Sequence, residues 1–199
     1  MKRLFDFILS FTGLILLSPF LLFISILIKI TNNGSIFFVQ ERVGKNGSLF
    51  KMIKFRTMYT DHNDNNTISV KGDSRITKLG FFLRKYKIDE LPELINVLFG
   101  DMSFVGPRPD VKGYADKLKG DHRKILKLRP GITGPASIKF INEELLLSKQ
   151  ENPKYYNDNV IYPEKVRINL DYFYNNSIWI DFKIIFATIF RISNWVIKK

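Results

Sequence analysis

Two adjacent carboxylates, Asp89 and Glu90, stand in the run Ile88-Asp89-Glu90-Leu91-Pro92-Glu93-Leu94. Proline is tolerated in a helix only in its first turn, where amide donors are unpaired anyway, so Pro92 places the pair at a helix start. An aspartate there ordinarily caps the helix. Here Arg84, Lys85 and Lys87 precede it closely, and such neighbours keep carboxylates ionised and draw in phosphate. An ionised carboxylate can coordinate Mg2+ or attack phosphorus. Capping and chemistry both remain open from these residues alone.

Phosphate-binding cations are the natural complement. Lys51, Lys54 and Arg56 alternate with Phe50, Met52, Ile53 and Phe55. At strand period, Lys54 and Arg56 project on one face with Met52. Two cations on one face suit a diphosphate, and a solvated strand face is the ordinary alternative. Arg108 lies between Pro107 and Pro109, which fix its backbone and preorganise a guanidinium for bidentate phosphate binding. Arg129-Pro130-Gly131 repeats that logic more weakly. No P-loop, G-x-G-x-x-G or Ser-His-Asp arrangement competes. The absence of cysteine and the two scattered histidines, His62 and His122, exclude disulfides and thiolate metal sites and argue against zinc.

The elements that must position these residues begin with a membrane segment. Between Arg3 and Lys29 the only charge is Asp6, and as a helix the apolar run would be roughly 35 to 38 Å long, enough to cross a bilayer. A cleavable signal peptide is the alternative, disfavoured by the length of the run and the lack of a small-x-small site. Ser18-Pro19 predicts a bend at mid-depth, because proline cannot donate to the carbonyl of Ile15; the Ser18 hydroxyl is expected to bond back to Leu14. The bend suits either a kinked spanning helix or a re-entrant one that returns to its own side; basic residues at both ends lean towards the latter, a kinked spanning helix is the commoner object, and the residues leave the two even.

The chain has 199 residues, 45% of them hydrophobic, which allows one sizeable core. Its net charge of +12 attracts nucleic acid, anionic lipid or phosphorylated ligands without choosing among them. Residues 36 to 43 and 49 to 58 read as a hairpin around a turn at 44–48, followed by a polar loop over 59–75. Two tandem helices are expected from Ile76 to Phe99, a helical stretch over 110–128, and rigid strips at GDMSFVGPRP and RPGITGP. Residues 178 to 197 combine tryptophans, aliphatics and interspersed charges, which suits a helix lying in the membrane interface; a core helix is the alternative.

The strips KRLFDFILS with Ser18-Pro19, KFRTM at 54–58, IDELPELINVLFGDMSFVGPRP at 88–109 and RPGITG at 129–134 resemble the monotopic phosphoglycosyl transferases, or bacterial sugar transferases. The resemblance implies an α+β, mostly helical fold. Its parts would be a re-entrant membrane helix over 1–30 broken at Ser18-Pro19, and a catalytic domain over 31–199 with a short β-hairpin and interfacial amphipathic helices. It also implies the activity. Asp89 attacks the β-phosphorus of a UDP-sugar, with Mg2+ bridging Asp89 and the diphosphate. UMP leaves, and the sugar-phosphate passes from Asp89 to polyprenol (undecaprenyl) phosphate, initiating a surface glycan or glycoconjugate.

Glu90 is implied to assist the aspartate and metal or to handle protons. Lys54, Arg84 and Arg108 fall on positions for phosphate or nucleotide contacts, and Arg56 and Arg129 are further candidates for binding substrate. The implied location is the bacterial inner membrane with the site on its cytoplasmic face. The implied partners are the donor, the lipid acceptor and membrane lipids, with no nucleic acid; the sequence leaves a homodimer open. A non-enzymatic basic protein binding anionic lipid or nucleic acid is the competing reading. Pro135 stands where the family pattern leads one to expect Trp, and the stretch KFINEELLLSKQENPKYYNDNVIYPEKVRINL departs from the family's Arg-Asn pattern, which leaves the sugar open. Without the extra N-terminal helices of larger relatives, the chain is expected to be a minimal catalytic unit.

Overall fold

The computed structural model describes residues 1–32, 34–59 and 73–192. Helix α1 (Lys2–Thr31) is, among these, the one helix long and apolar enough to cross a membrane. The break expected at Ser18-Pro19 does not interrupt it: α1 continues through Pro19. The Ser18 hydroxyl donates to the carbonyl of Ile15 at 2.8 Å, the carbonyl that Pro19 deprives of its amide donor. The side chain thus supplies the hydrogen bond that the imide cannot, on Ile15 instead of the expected Leu14.

One stripe of α1 is buried at Asp6, Ser10, Ile24 and Ile28, while Leu4, Ile8, Ile15, Leu16, Leu22, Phe23, Ile26 and Ile30 are exposed. Both ends of the stripe rest on the same globular body. At the first turn, Arg3 donates to the carbonyls of Val97 and Leu98 at 2.5 and 2.7 Å, and Asp6 accepts from Ser103 Oγ and the Phe104 amide, both at 3.1 Å. At the far end, Ile24 and Ile28 pack with Phe55 and Leu83.

Strands β1 (Phe37–Val43) and β2 (Leu49–Phe55) form the expected antiparallel hairpin, with Gln40 opposite Met52 and Phe38 opposite Lys54. The Gly44–Ser48 region makes the turn, where Asn46 and Gly47 take positive φ of 59° and 83°, a conformation tolerated best by these residue types. Most of the polar loop, residues 60–72, lies outside the described residues. Its base is closed by pairing of Met58 with Ile76 and by a 2.9 Å bond from the Tyr59 amide to the Arg75 carbonyl. Helix α2 (Lys78–Lys85) follows, N-capped by the Thr77 hydroxyl accepting from the Gly80 amide at 2.8 Å. Helix α3 (Glu93–Phe99) ends at Gly100, whose φ of 93° terminates it in the left-handed manner that glycine favours.

The two rigid strips meet. Strand β3 (Ser103–Val105) pairs in parallel with β4 (Gly131–Thr133), and the contact continues through Gly106. A Cβ on Gly106 would lie 2.2 Å from the Arg129 carbonyl, and one on Gly131 would lie 2.1 Å from the Gly106 amide, so both positions exclude a side chain. The stretch 110–128 is not the expected helix. It forms two 3-10 segments, Ala115–Lys117 and Gly120–Lys127, because Gly113, with φ of 106°, interrupts helical geometry before the first and Gly120, with φ of 56°, at the start of the second.

Short helices α4 (Pro135–Lys139), α5 (Glu143–Leu147) and α6 (Pro153–Tyr156), then a π turn at Asn157–Ile161, lead into α7 (Tyr162–Asn175). The final described helix, α8 (Ile178–Ile189), stops short of the predicted 178–197 span, and residues 193–197 of that span lie outside the description. Its Ile184 and Ala187 join Val105, Ile138 and Tyr172 in the main core. Its opposite face exposes Trp179, Phe182, Phe186 and Ile189. The Phe5 and Phe182 rings meet edge-on at 5.0 Å, so the exposed apolar faces of α1 and α8 adjoin.

Candidate active site

Lys87, at φ 59°, turns the chain out of α2 into a 3-10 turn, Ile88–Glu90, that stands apart from α3. Neither this turn nor α3 is capped by a side chain. The capping role weighed for Asp89 is therefore not the one it plays. Asp89 is 8% exposed, and its Oδ1 is buried with no hydrogen-bond partner among the described residues. A buried acceptor left unpaired costs free energy that folding alone does not require. Burial raises the Asp89 carboxyl above its ordinary range and Glu90 pushes it the same way, while Lys54, Lys87 and Arg84 oppose them.

Glu90 has the opposite environment. Burial would raise its carboxyl, but Arg108, Lys54 and Lys87 together overcome that and hold it well below the ordinary range. Its Oε1 lies 2.6 Å from Arg108 Nη2, 3.0 Å from Lys54 Nζ and 3.9 Å from Lys87 Nζ. Glu90 in turn raises Arg108 further. Two neighbouring carboxylates are thus driven in opposite directions by their surroundings, as at many reactive centres.

Three chain segments converge here. Lys54 comes from β2, the carboxylates from the turn before α3, and Arg108 from the proline-flanked strip after β3. Asn96 joins them: its side chain accepts from the Ile53 amide at 3.0 Å and donates to the Lys51 carbonyl at 2.8 Å. Its backbone carbonyl accepts the amides of Gly100, Asp101 and Met102. One buried amide side chain thereby bonds to β2 on either side of Met52, two residues from Lys54.

The remaining sequence candidates are placed differently. The Arg84 guanidinium forms an ion pair with Glu144, and its charge still acts on Asp89. Arg56 leaves the end of β2 and lies over Gly34, where a Cβ would come within 2.2 Å of its Nη1. Arg129 Nε donates to the Gly100 carbonyl at 2.8 Å, joining β4 to the end of α3.

Four neighbours were not singled out from sequence as site residues. Glu93 lies with its Oε1 3.1 Å from Lys54 Nζ. Arg42 is largely buried, with a pKa lowered to about 10 by burial and then by Arg108. Burial also pushes Asp110 up to about 6, against the pull of Lys165, Arg42 and Arg108. Asn96 is the fourth. Only Glu93 carried a sequence signal, since Pro92 places it in the first turn of α3 beside the dyad.

No group of three or more acidic or histidine side chains that could hold a metal is found among the described residues. The orphaned Asp89 Oδ1 suits the Mg2+ mode in which one carboxylate and substrate phosphates share the ion.

Residues 1–194 match the model of a family described as bacterial sugar transferase. The chain is 40% identical over 195 residues to the UDP-glucose:undecaprenyl-phosphate glucose-1-phosphate transferase of Klebsiella pneumoniae, covering 96% of this chain and 39% of that one. It is 38% identical over 199 residues to the exopolysaccharide production protein PSS of Rhizobium leguminosarum bv. phaseoli, covering 95% and 93%. It is 34% identical over 196 residues to the UDP-N-acetylgalactosamine-undecaprenyl-phosphate N-acetylgalactosaminephosphotransferase of Aeromonas hydrophila, covering 94% and 42%. The chain thus spans about two fifths of the Klebsiella and Aeromonas proteins and nearly all of the Rhizobium one. With a match that runs from the first residue of α1 through the dyad and beyond α8, the chain belongs to the bacterial sugar transferase family.

Proposed function

We propose that the protein transfers a sugar-1-phosphate from a UDP-sugar to undecaprenyl phosphate by way of a covalent intermediate on Asp89. The observation that carries the mechanism is the buried, unpartnered Oδ1 of Asp89, on whose charge Lys54, Lys87 and Arg84 act. A desolvated carboxylate with no hydrogen bond to break is a better nucleophile than a solvated one. Its oxygen forms a bond to the β-phosphorus, the bond from that phosphorus to the bridging oxygen breaks, and UMP leaves with the oxygen. A phosphate oxygen of the lipid acceptor then attacks the same phosphorus. The Asp89–phosphorus bond breaks, which returns the carboxylate and yields the diphosphate-linked sugar.

Lys54, Lys87 and Arg108 stabilise the charge on the transferring phosphoryl group. Glu90, held ionised by Arg108 and Lys54, is a poor proton acceptor near neutral pH; its role is to fix those two cations. Mg2+ bound at Asp89 would neutralise diphosphate charge and assist departure of UMP. The relatives' names supply glucose and N-acetylgalactosamine, so the donor is a UDP-hexose of that class.

The protein sits at the cytoplasmic membrane with α1 re-entrant and the site on the cytoplasmic face. What supports this is that both ends of α1 dock on one globular body and that the α8 aromatic face adjoins that of α1. A shallow site of this kind lets a water-soluble nucleotide meet a lipid phosphate at the interface. The reading is tested by nucleotide release from a panel of UDP-sugars with Mg2+ and undecaprenyl phosphate. UMP from one donor supports it, and UDP release refutes it. For topology, cysteines at position 2 and beyond Ile30 should label from the same side with an impermeant reagent; opposite sides would contradict re-entry.

A further inference from the structure

One buried ionisable group has no part in the reaction as written above. Glu93 opens α3, where an acid usually sits exposed near the helix's unpaired amides. Glu93 is instead 1% exposed and caps nothing. A carboxylate so buried calls for a cation: Lys54 Nζ lies 3.1 Å from Glu93 Oε1 and 3.0 Å from Glu90 Oε1, and its charge opposes the upward push of burial on the Glu93 carboxyl, whose Oε1 has no hydrogen-bond partner among the described residues. Lys54 is itself only 15% exposed, so its ammonium is enclosed between the two glutamates with little room to move. When both are ionised, Glu90 and Glu93 together balance Lys54 and Arg108. Without Glu93 the same group of side chains would carry one excess positive charge beside the nucleophile.

We propose that Glu93 is a positioning residue of the transfer reaction: it fixes the Lys54 ammonium and tempers the site's hold on the anionic nucleotide, so that the leaving nucleotide can depart. This rests on the transferase reading. Lys54 must grip a diphosphate and then release a monophosphate, and a site with uncompensated positive charge does the first well and the second slowly. At the effective dielectric of a partly buried site, one unit charge at this range changes anion affinity by about tenfold or more.

Glu93→Gln, which keeps the shape and removes the charge, tests this in the full chain in detergent. The donor KM is expected to fall about tenfold, kcat to fall by at least as much, and inhibition by UMP to tighten comparably. Glu93→Asp retains the charge and should recover much of both constants. Acylation of Lys54 by an amine-reactive ester, read by mass spectrometry, should rise in Glu93→Gln; it needs no donor. Unchanged Lys54 labelling with unchanged KM, accompanied only by a lower melting temperature, would mean that Glu93 merely fills space and would overturn the proposal. If wild type releases UMP from no donor, the transferase reading fails while the labelling still decides whether Glu93 holds Lys54. Should Glu93→Gln not fold, Glu93→Met, which removes the charge at similar length, takes its place: raised Lys54 labelling supports the proposal and wild-type labelling defeats it.

Discussion

Two groups of buried carboxylates divide the labour of this molecule. Around the first turn of α1, Asp6 is 1% exposed and accepts from Ser103 and the Phe104 amide. Nearby Asp181, at 2% exposure, accepts from the Tyr172 hydroxyl at 2.5 Å and pairs with Lys2. Some 80 residues along the chain from Asp6, Asp89 is almost as buried, yet its Oδ1 has no partner among the described residues. Burial is therefore not what sets apart the carboxylate proposed as the nucleophile; an unpaired oxygen is, a feature that among the buried carboxylates of the described residues only the neighbouring Glu93 shares, through its Oε1. A fully hydrogen-bonded carboxylate joins elements together, whereas one with an unpaired oxygen retains a free energy penalty that a ligand can relieve.

Replacing Asp89 with Asn sharpens this contrast most. Turnover should fall at least ~1,000-fold, since the proposed nucleophile is lost, while the melting temperature stays level or rises because a desolvated charge, only partly offset by Lys54, Lys87 and Arg84, has gone. A melting temperature that dropped with activity would place Asp89 in the structural class and break the comparison. Asp181→Ala should do the reverse. It leaves the Tyr172 hydroxyl and Lys2 ammonium without their acceptor and should cost about 2 kcal/mol of stability, measured by thermal denaturation in detergent, with activity per folded molecule largely kept.

Asp110 offers an intermediate case through pH. Its folded pKa, pushed up to about 6 from 3.8, means that the folded protein keeps a proton which the unfolded chain has already lost. Its contribution to stability therefore declines as pH rises from about 3.8 to about 6. Asp110→Asn should remove that part of the slope in melting temperature against pH, and an unaltered slope would show the carboxyl ionises normally. The smallest effect belongs to Glu164, a carboxylate paired with Lys139 and Arg167 at the surface. Glu164→Gln should change stability by less than about 1 kcal/mol and activity not at all, as judged by the same melts and UMP assay.

Much of this was legible in the chain. The apolar period of α1, the hairpin around Gly44–Ser48, the glycine that stops α3 and the proline that sets Asp89 and Glu90 before it are local features, governed by backbone sterics and burial. The 3-10 character of 113–127 was less so, because a few glycines with positive φ decide it and helical propensity does not reveal them. Asp6 read as a stray charge in an apolar helix, and its meaning lies in Ser103 and Phe104, nearly 100 residues away.

The sequence by itself determined that this protein has a long apolar N-terminal helix, an acidic pair just ahead of a helix and proline-braced arginines, since each depends on neighbours within a few residues. Only the tertiary structure decided which carboxylate oxygens are left unpaired, that Lys54 is shared by Glu90 and Glu93, that Arg129 bonds to the end of α3, and that Asn96 ties β2 to α3. Those outcomes depend on hydrogen bonds and Coulomb interactions between segments distant in sequence, whose strength is set by a burial that no local pattern records.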